Sequence, residues 1–284
     1  MGPFSRVRSC AQRLPTAAIR TVRGGTIKIY VQTDLEGVAG VSRWDQTGPG
    51  EPGYPEACRL MTEELRALVE GIRSVDDRAD IWVCDSHGPG AILIERFPRG
   101  ARLMSRGPKP AHHYLDPSFD AMFFFAQHAM AGARDANLAH TYSSRNIEYY
   151  RLNGREMGEF GCLAAIAGAF GVPAVFVSGD DKMMQEARAL VPDIACAEVK
   201  VGLALQYALS LAPEDARDLV RDVAAEATRR AGEIAPFVLD GPPYTHEVCI
   251  WARTDPVDWL RRGYTQTGAR TFVKTAERLV DLNL

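Results

Sequence analysis

The chain has no Cys-x-x-Cys pair, no block of like charge and no unbroken apolar stretch of the ~18 residues that a membrane-spanning helix needs. The cysteines, Cys10, Cys58, Cys84, Cys162, Cys196 and Cys249, are dispersed, so the spacing gives neither a zinc ribbon nor a disulfide framework. Reduced thiols in a cytoplasmic protein are the expectation. The 33 basic residues nearly balance the 36 acidic ones, which leaves no electrostatic footprint for nucleic acid or an anionic membrane. A small neutral or zwitterionic substrate fits that balance better. There is no GxGxxG loop either. The nearest pattern, Gly37 to Gly40, follows two carboxylates that would repel phosphate, so a nucleotide loop is rejected.

What is present is enough apolar sequence, 46% of 284 residues, to bury a substantial core. Residues 1–26 differ from the remainder, carrying Arg6, Arg8, Arg13, Arg20 and Arg23 and no acidic side chain. Arg13 and Arg20 interrupt every apolar run that a secretory signal would require. The composition matches a transit peptide, but arginine outnumbers lysine along the whole chain. A disordered or misassigned extension is therefore expected, and 27–284 is read as one catalytic domain.

From Ile27 the pattern is strand, loop, helix, repeated. Ile27 to Thr33, Ile81 to Cys84, Ala121 to Ala126 and Ala174 to Val177 read as buried strands. Tyr54 to Arg73, Met157 to Phe170 and Pro213 to Ala231 carry helical spacing. Ile147 to Arg151 followed by Asn153-Gly154 predicts a hairpin. Past Asp180 the chain reads as more helical, before a late strand from Glu247 to Ala252 and a strand-helix unit from Thr271. Continuous apolar strands alternating with helices indicate an α/β fold: a mainly parallel buried sheet flanked by helices, with room for a C-terminal subdomain.

Several polar residues stand where those strands end, the place where an open α/β sheet presents its chemistry. Asp34 and Glu36 follow the first strand, and residues two apart in extended backbone face one side. They suit a pair of cations bridged by a carboxylate; a solvated loop pair or a helix N-cap is the plainer alternative. Asp85-Ser86-His87 closes the second strand, either as a ligand with a supporting carboxylate or as a capped turn. His128 closes AMFFFAQH, and its recurrence at a third strand end strengthens the metal reading. Glu159 opens a helix, where the dipole alone would favour a carboxylate. Two histidines and three carboxylates form a mixed nitrogen and oxygen set suited to zinc, with manganese or cobalt as alternatives. His140, in a polar loop, has the chemistry to donate to an oxyanion or to a leaving amine, or it is a surface histidine. His112, His113 and His246 read as ordinary. Asp180 and Asp181 read most simply as a helix N-cap, with support of the site as the lesser alternative.

The ordered set D-x-E-G (Asp34 to Gly37), T-E-E (Thr62 to Glu64), D-S-H (Asp85 to His87), His128, His140, G-E-x-G (Gly158 to Gly161) and G-D-D (Gly179 to Asp181) resembles the DppA-type D-aminopeptidase family. The resemblance covers residues 27 to about 280. It implies a di-zinc centre held by Asp34, Glu36, His87, His128 and Glu159, with Asp34 bridging and His140 as the active-site residue. It also implies a homo-oligomeric ring that encloses the sites and acts on short peptides. Gln127, Met130, Ala139 and Thr141 depart from the D-specific pattern, which bears on substrate preference rather than on metal binding. The rival expectations are another metal-dependent amidase or phosphoesterase on this scaffold, or a non-catalytic oligomeric binding protein.

Overall fold

β4 (Ala121–Gln127), with the sequence AMFFFAQ, is buried along its whole length, because a parallel strand covered on both faces needs apolar residues at every position. It lies at the centre of a seven-stranded sheet in a computed structural model that describes residues 25–105 and 113–284. The N-terminal extension, up to residue 24, and His112 lie outside the described residues. The sheet is built from β1 (Lys28–Thr33), β2 (Asp80–Cys84), β3 (Ala101–Met104), β4, β7 (Ala174–Asp180), β8 (Ala195–Ala204) and β9 (Tyr207–Ser210). Their order is β3-β2-β1-β4-β7-β8-β9, parallel from β3 to β8, with β9 returning antiparallel on β8. This is the expected mainly parallel α/β sheet.

The flanking helices are α1 (Tyr54–Val75), α2 (Glu159–Ala169), α3 (Asp181–Leu190) and α4 (Pro213–Arg230). α1 packs on α4, which also covers β7 and β8, whereas α2 and α3 pack on each other and on β4, β7 and β8. A second, antiparallel sheet has the order β11-β12-β10-β5-β6. Its β5 (Ile147–Leu152) and β6 (Arg155–Glu156) form the expected hairpin, turning through Asn153 (φ 48°) and Gly154 (φ 79°) as a two-residue turn demands. β10 (Tyr244–Ile250), β11 (Thr265–Gln266) and β12 (Thr271–Ala276), with α5 (Val257–Arg261) between β10 and β11, complete it from the far end of the chain.

Two expectations past Asp180 need correction. The chain there is not mainly helical: β8 and β9 separate α3 from α4. The strand at Thr271 is followed by a 3-10 turn, Leu279–Leu282, rather than an α-helix; leucines three apart bury together in that tighter period, and Asn283 stops it at φ 58°.

Because β1, β2, β4 and β7 run parallel, their C-terminal ends reach the same edge of the sheet. Asp34, Asp85 to His87, His128 and Asp180 are consequently delivered to one place.

Candidate metal centre

The loop after β1 is folded back over the end of β4. Asp34 N donates to Phe125 O at 3.0 Å, and Gly37 N donates to Ala126 O at 2.8 Å. β4 bulges at that point, with its register against β7 slipping between Phe124 and Gln127. Ala126 takes a left-handed φ of 59° and donates its N–H to Ser178 Oγ at 2.8 Å. A non-glycine residue in that region costs roughly 1–2 kcal/mol, strain of the kind that the surrounding structure must over-determine. The over-determining contact is Gly37: a Cβ on it would lie 2.1 Å from Ala126 C. Glycine after Glu36 is thus required for the loop to close on the bulge.

Behind this loop lies a buried polar network. The Lys200 ammonium, reaching from β8, donates to Glu36 O, to Val41 O at 2.5 Å and to Asn137 Oδ1 at 2.9 Å. Glu64 Oε2 accepts from Ala39 N at 3.3 Å. Burial pushes Lys200 down to about 8 and Glu64 up to about 7. Asp180 caps α3, as expected, through Met183 N at 2.8 Å, and its other oxygen accepts from Asn137 N at 2.9 Å. The loop carrying Glu36 and the loop carrying His140 are therefore tied to the same network.

All six predicted residues converge. His87 Nδ1 lies 3.2 Å from Asp34 Oδ1 and 3.2 Å from Glu36 Oε2. His128 Nε2 lies 3.3 Å from Asp34 Oδ2 and 3.2 Å from Glu159 Oε1. His140 Nε2 is 3.8 Å from Glu159 Oε1, which accepts from Tyr142 N at 2.8 Å. The donors fall into two groups, Asp34 with Glu36 and His87, and His128 with His140 and Glu159. Asp34 touches both.

Each histidine commits one ring nitrogen to a backbone carbonyl: His87 Nε2 to Thr47 O at 2.7 Å, His128 Nδ1 to Ala129 O at 3.0 Å, and His140 Nδ1 to Leu138 O at 2.8 Å. The other nitrogen is aimed at the carboxylates, the orientation that supporting hydrogen bonds impose on metal-ligating imidazoles. The supporting partner of His87 is thus Thr47. Of the two alternatives for Asp85, the structure shows the capped turn: its carboxylate accepts from Ala91 N at 3.1 Å.

Burial opposes the charges of Glu36, Glu159, His87 and His128, yet their neighbours favour the ionised forms. Burial would raise Glu36, but His87, with His140 and His128, brings it well below the usual carboxylate range. Glu159 is lowered against burial by His128 and His140. Against the same penalty Glu36 and Asp34 raise His87 to about 11, and Asp34 and Glu159 raise His128. Protons on the imidazoles supply the positive charge the carboxylates need, and a cation would replace them. Two inward-facing atoms, Glu36 Oε2 and His128 Nε2, are buried without a hydrogen bond, one in each donor group. Carboxylate and imidazole donors gathered this closely fit a divalent metal such as zinc, which would take the place of the imidazole protons.

The centre opens into a cleft of about 1050 Å³ lined also by Trp44, Glu51, Arg145, Leu205 and Trp251. Trp44 meets His140 edge-on, with centroids 5.6 Å apart. His246 belongs to neither donor group and is buried on β10. Sequence reasoning missed Trp44, Thr47, Asn137 and Lys200. Only Lys200 left a signal, a lysine flanked by two valines in β8.

A family model described as D-aminopeptidase matches residues 27–282. A D-aminopeptidase of Bacillus subtilis is 26% identical over 260 residues, spanning 90% of this chain and 93% of the relative. The solved structure of the Zn-dependent D-aminopeptidase DppA from Bacillus subtilis, described as a self-compartmentalizing protease, is similar with a TM-score of 0.82. It is 24% identical and covers 90% of this chain and 94% of that one, a likeness that carries the fold. With the family match running from the start of β1 to the closing 3-10 turn, and taking in every strand end that converges on the cleft, this chain belongs to the D-aminopeptidase family.

Proposed function

We propose that the chain is a zinc-dependent aminopeptidase that releases the N-terminal residue, in the D configuration, from short peptides, with two zinc ions per subunit. The observation that carries the reading is the pair of donor groups joined through Asp34, the ligand atoms of each group lying within 4.8 Å of one another. Asp34, Glu36 and His87 would hold one ion; His128, Glu159 and the second oxygen of Asp34 would hold the other. Manganese or cobalt would suit the same donors. When bound, such ions supply Lewis acidity, lowering the pKa of a water and polarising the scissile carbonyl.

The remaining work falls to the chain itself. His140 keeps Nδ1 on Leu138 O, so its Nε2 faces the cleft beside Glu159. From there it stabilises the developing oxyanion or passes a proton to the leaving amine. Trp44 packs edge-on against that ring and holds its plane. A second reading makes His140 a ligand, because its nitrogen lies within the same 4.8 Å group as His128 and Glu159.

The protein is further proposed to act in the cytoplasm as a homo-oligomeric ring. Among the described residues no helix is long and apolar enough to cross a membrane. β9 is an edge strand with Tyr207 and Leu209 about two-thirds exposed, surface that a second copy would cover. The likeness to a self-compartmentalizing protease supports the assembly.

The function is tested by incubating zinc-loaded protein with D-Ala and L-Ala dipeptides, before and after chelation. Chelator-sensitive release of N-terminal alanine, faster for the D dipeptide, is expected. Cleavage of acyl amides or phosphoesters with dipeptides ignored would replace the reading with its hydrolase rivals.

A further inference from the structure

The cleft is lopsided in charge. Asp34, Glu36, Glu51, Glu148 and Glu159 line it, against a single arginine or lysine among the described residues, Arg145. Glu148 is already bonded to Arg270. Arg145 is exposed at the cleft wall, and its guanidinium makes no hydrogen bond or ion pair among the described residues.

Its backbone, by contrast, is fixed. Asn146 N and Ile147 N both donate to Ser143 O, at 3.3 and 3.0 Å, so Arg145 stands at the apex of a tight turn. Arg253 donates to Arg145 O at 3.5 Å, and Trp251 N donates to Asn146 O at 3.0 Å, tying the turn to the end of β10. On its other side the turn begins at Tyr142, whose N–H is held by Glu159. Three residues of chain span at most about 10 Å, and a turn spans less. The Arg145 backbone is thus held within about 10 Å of Tyr142, and its side chain lines the same cleft as Glu159.

We propose that Arg145 binds the C-terminal carboxylate of the substrate and so selects di- and tripeptides with a free carboxyl end. The inference rests on the peptidase reading above. A planar guanidinium pairs with a carboxylate through two parallel hydrogen bonds, a geometry that lysine or a solvated loop does not offer. The cleft also carries a complementary charge in the segment beside His87. Glu51 is exposed and unpaired in the segment following Thr47, the residue that holds His87. A zwitterionic peptide accordingly lies with its ammonium toward the His87 side and its carboxylate toward the Glu159 side. The direction matches release of the first residue: the scissile carbonyl falls between the two ends, over the metal-ligating groups. Longer peptides would carry an uncharged peptide group past Arg145 and lose the contact.

The test compares D-Ala-D-Ala and L-Ala-L-Ala with their C-terminal amides, using zinc-loaded wild type and Arg145→Met. The wild type is expected to favour the free acids by about tenfold or more in kcat/KM. In Arg145→Met the KM for the acids should rise about tenfold, with kcat and the kinetics on the amides unchanged, which levels the preference. Equal cleavage of acids and amides by the wild type would overturn the proposal and leave the peptidase reading intact. So would a variant that loses both substrates in the same proportion. If the loaded wild type cleaves none of the four, the peptidase reading fails and the proposal with it.

Discussion

The imidazole rings of His128 and His140 lie face to face, with centroids 3.8 Å apart and planes 13° from parallel. One ring points its free nitrogen at Asp34 and Glu159, and the other presents its own beside Glu159 from the cleft side. The stack places a second imidazole next to the one proposed as a ligand without giving it a second carboxylate. That separates their expected behaviour. His140→Ala should lower kcat by about 10²–10⁴ while zinc content, measured by plasma mass spectrometry, stays at the wild-type level. Loss of one zinc in that variant would make His140 a ligand.

Gly37 has no room for a side chain, since its Cβ would fall 2.1 Å from Ala126 C. Gly37→Ala must therefore push the Asp34–Glu36 loop off the β4 bulge. A destabilisation of about 1–3 kcal/mol or more is expected, with a matching fall in zinc affinity. Gly268→Ala, whose nearest neighbour would be an ordinary 3.4 Å away, serves as the control. Unchanged denaturant midpoint and zinc content in Gly37→Ala would show that the loop is not fixed by that contact.

Zinc uptake should be proton-linked. His87, raised to about 11, and His128, also raised, keep their protons at neutral pH in the metal-free site, so ligation must expel them. Apparent affinity then falls as pH falls. Titration calorimetry in buffers of different ionisation enthalpy should show protons released at pH 7; a binding enthalpy independent of buffer would contradict this.

His246 contributes in the opposite sense. Burial, with the charges of Arg262 and Lys274, lowers it to about 3. Its Nε2 has no partner, and its Nδ1 is bonded to Tyr264 Oη at 2.6 Å. Its unfolded value is about 6.5, so below that pH the unfolded chain binds a proton the native one refuses. Stability is fully present above about 6.5 and is lost as pH falls toward 3, with a limiting slope of about 1.4 kcal/mol per pH unit. His246→Phe should flatten that part of the acid limb. The comparison is read from melting temperatures of chelated protein between pH 7 and 4, and parallel limbs would remove His246 as the cause.

The strand ends were legible because burial makes them so. AMFFFAQH passes from continuous apolar residues to Gln127 and His128, and IKIYVQTD from Ile29-Tyr30-Val31 to Gln32, Thr33 and Asp34, and that break marks the C-terminal end of a buried strand. The Asn153-Gly154 turn was legible for a similar local reason. β8 was not: it mixes Glu198 and Lys200 with alanine and valine, and Lys200 is buried only because three acceptors from distant loops meet it. The bulge at Ala126 left no trace either, since its left-handed φ sits on alanine rather than on glycine or asparagine. Thr47 and Trp44 reach the site through a loop whose path depends on tertiary contacts, among them Trp44 N on Gln206 Oε1 at 3.0 Å. No spacing in the sequence encodes such an approach.

The central claim is that Asp34 is shared by two metal ions. Zinc should be counted per subunit in untagged wild type and in Asp34→Asn, a change that keeps the shape of the side chain but removes its charge from both donor groups. Two zinc ions in the wild type, and weakened retention of both in the variant, are the predicted result. One zinc or none in the wild type, or two fully retained in Asp34→Asn, would contradict it.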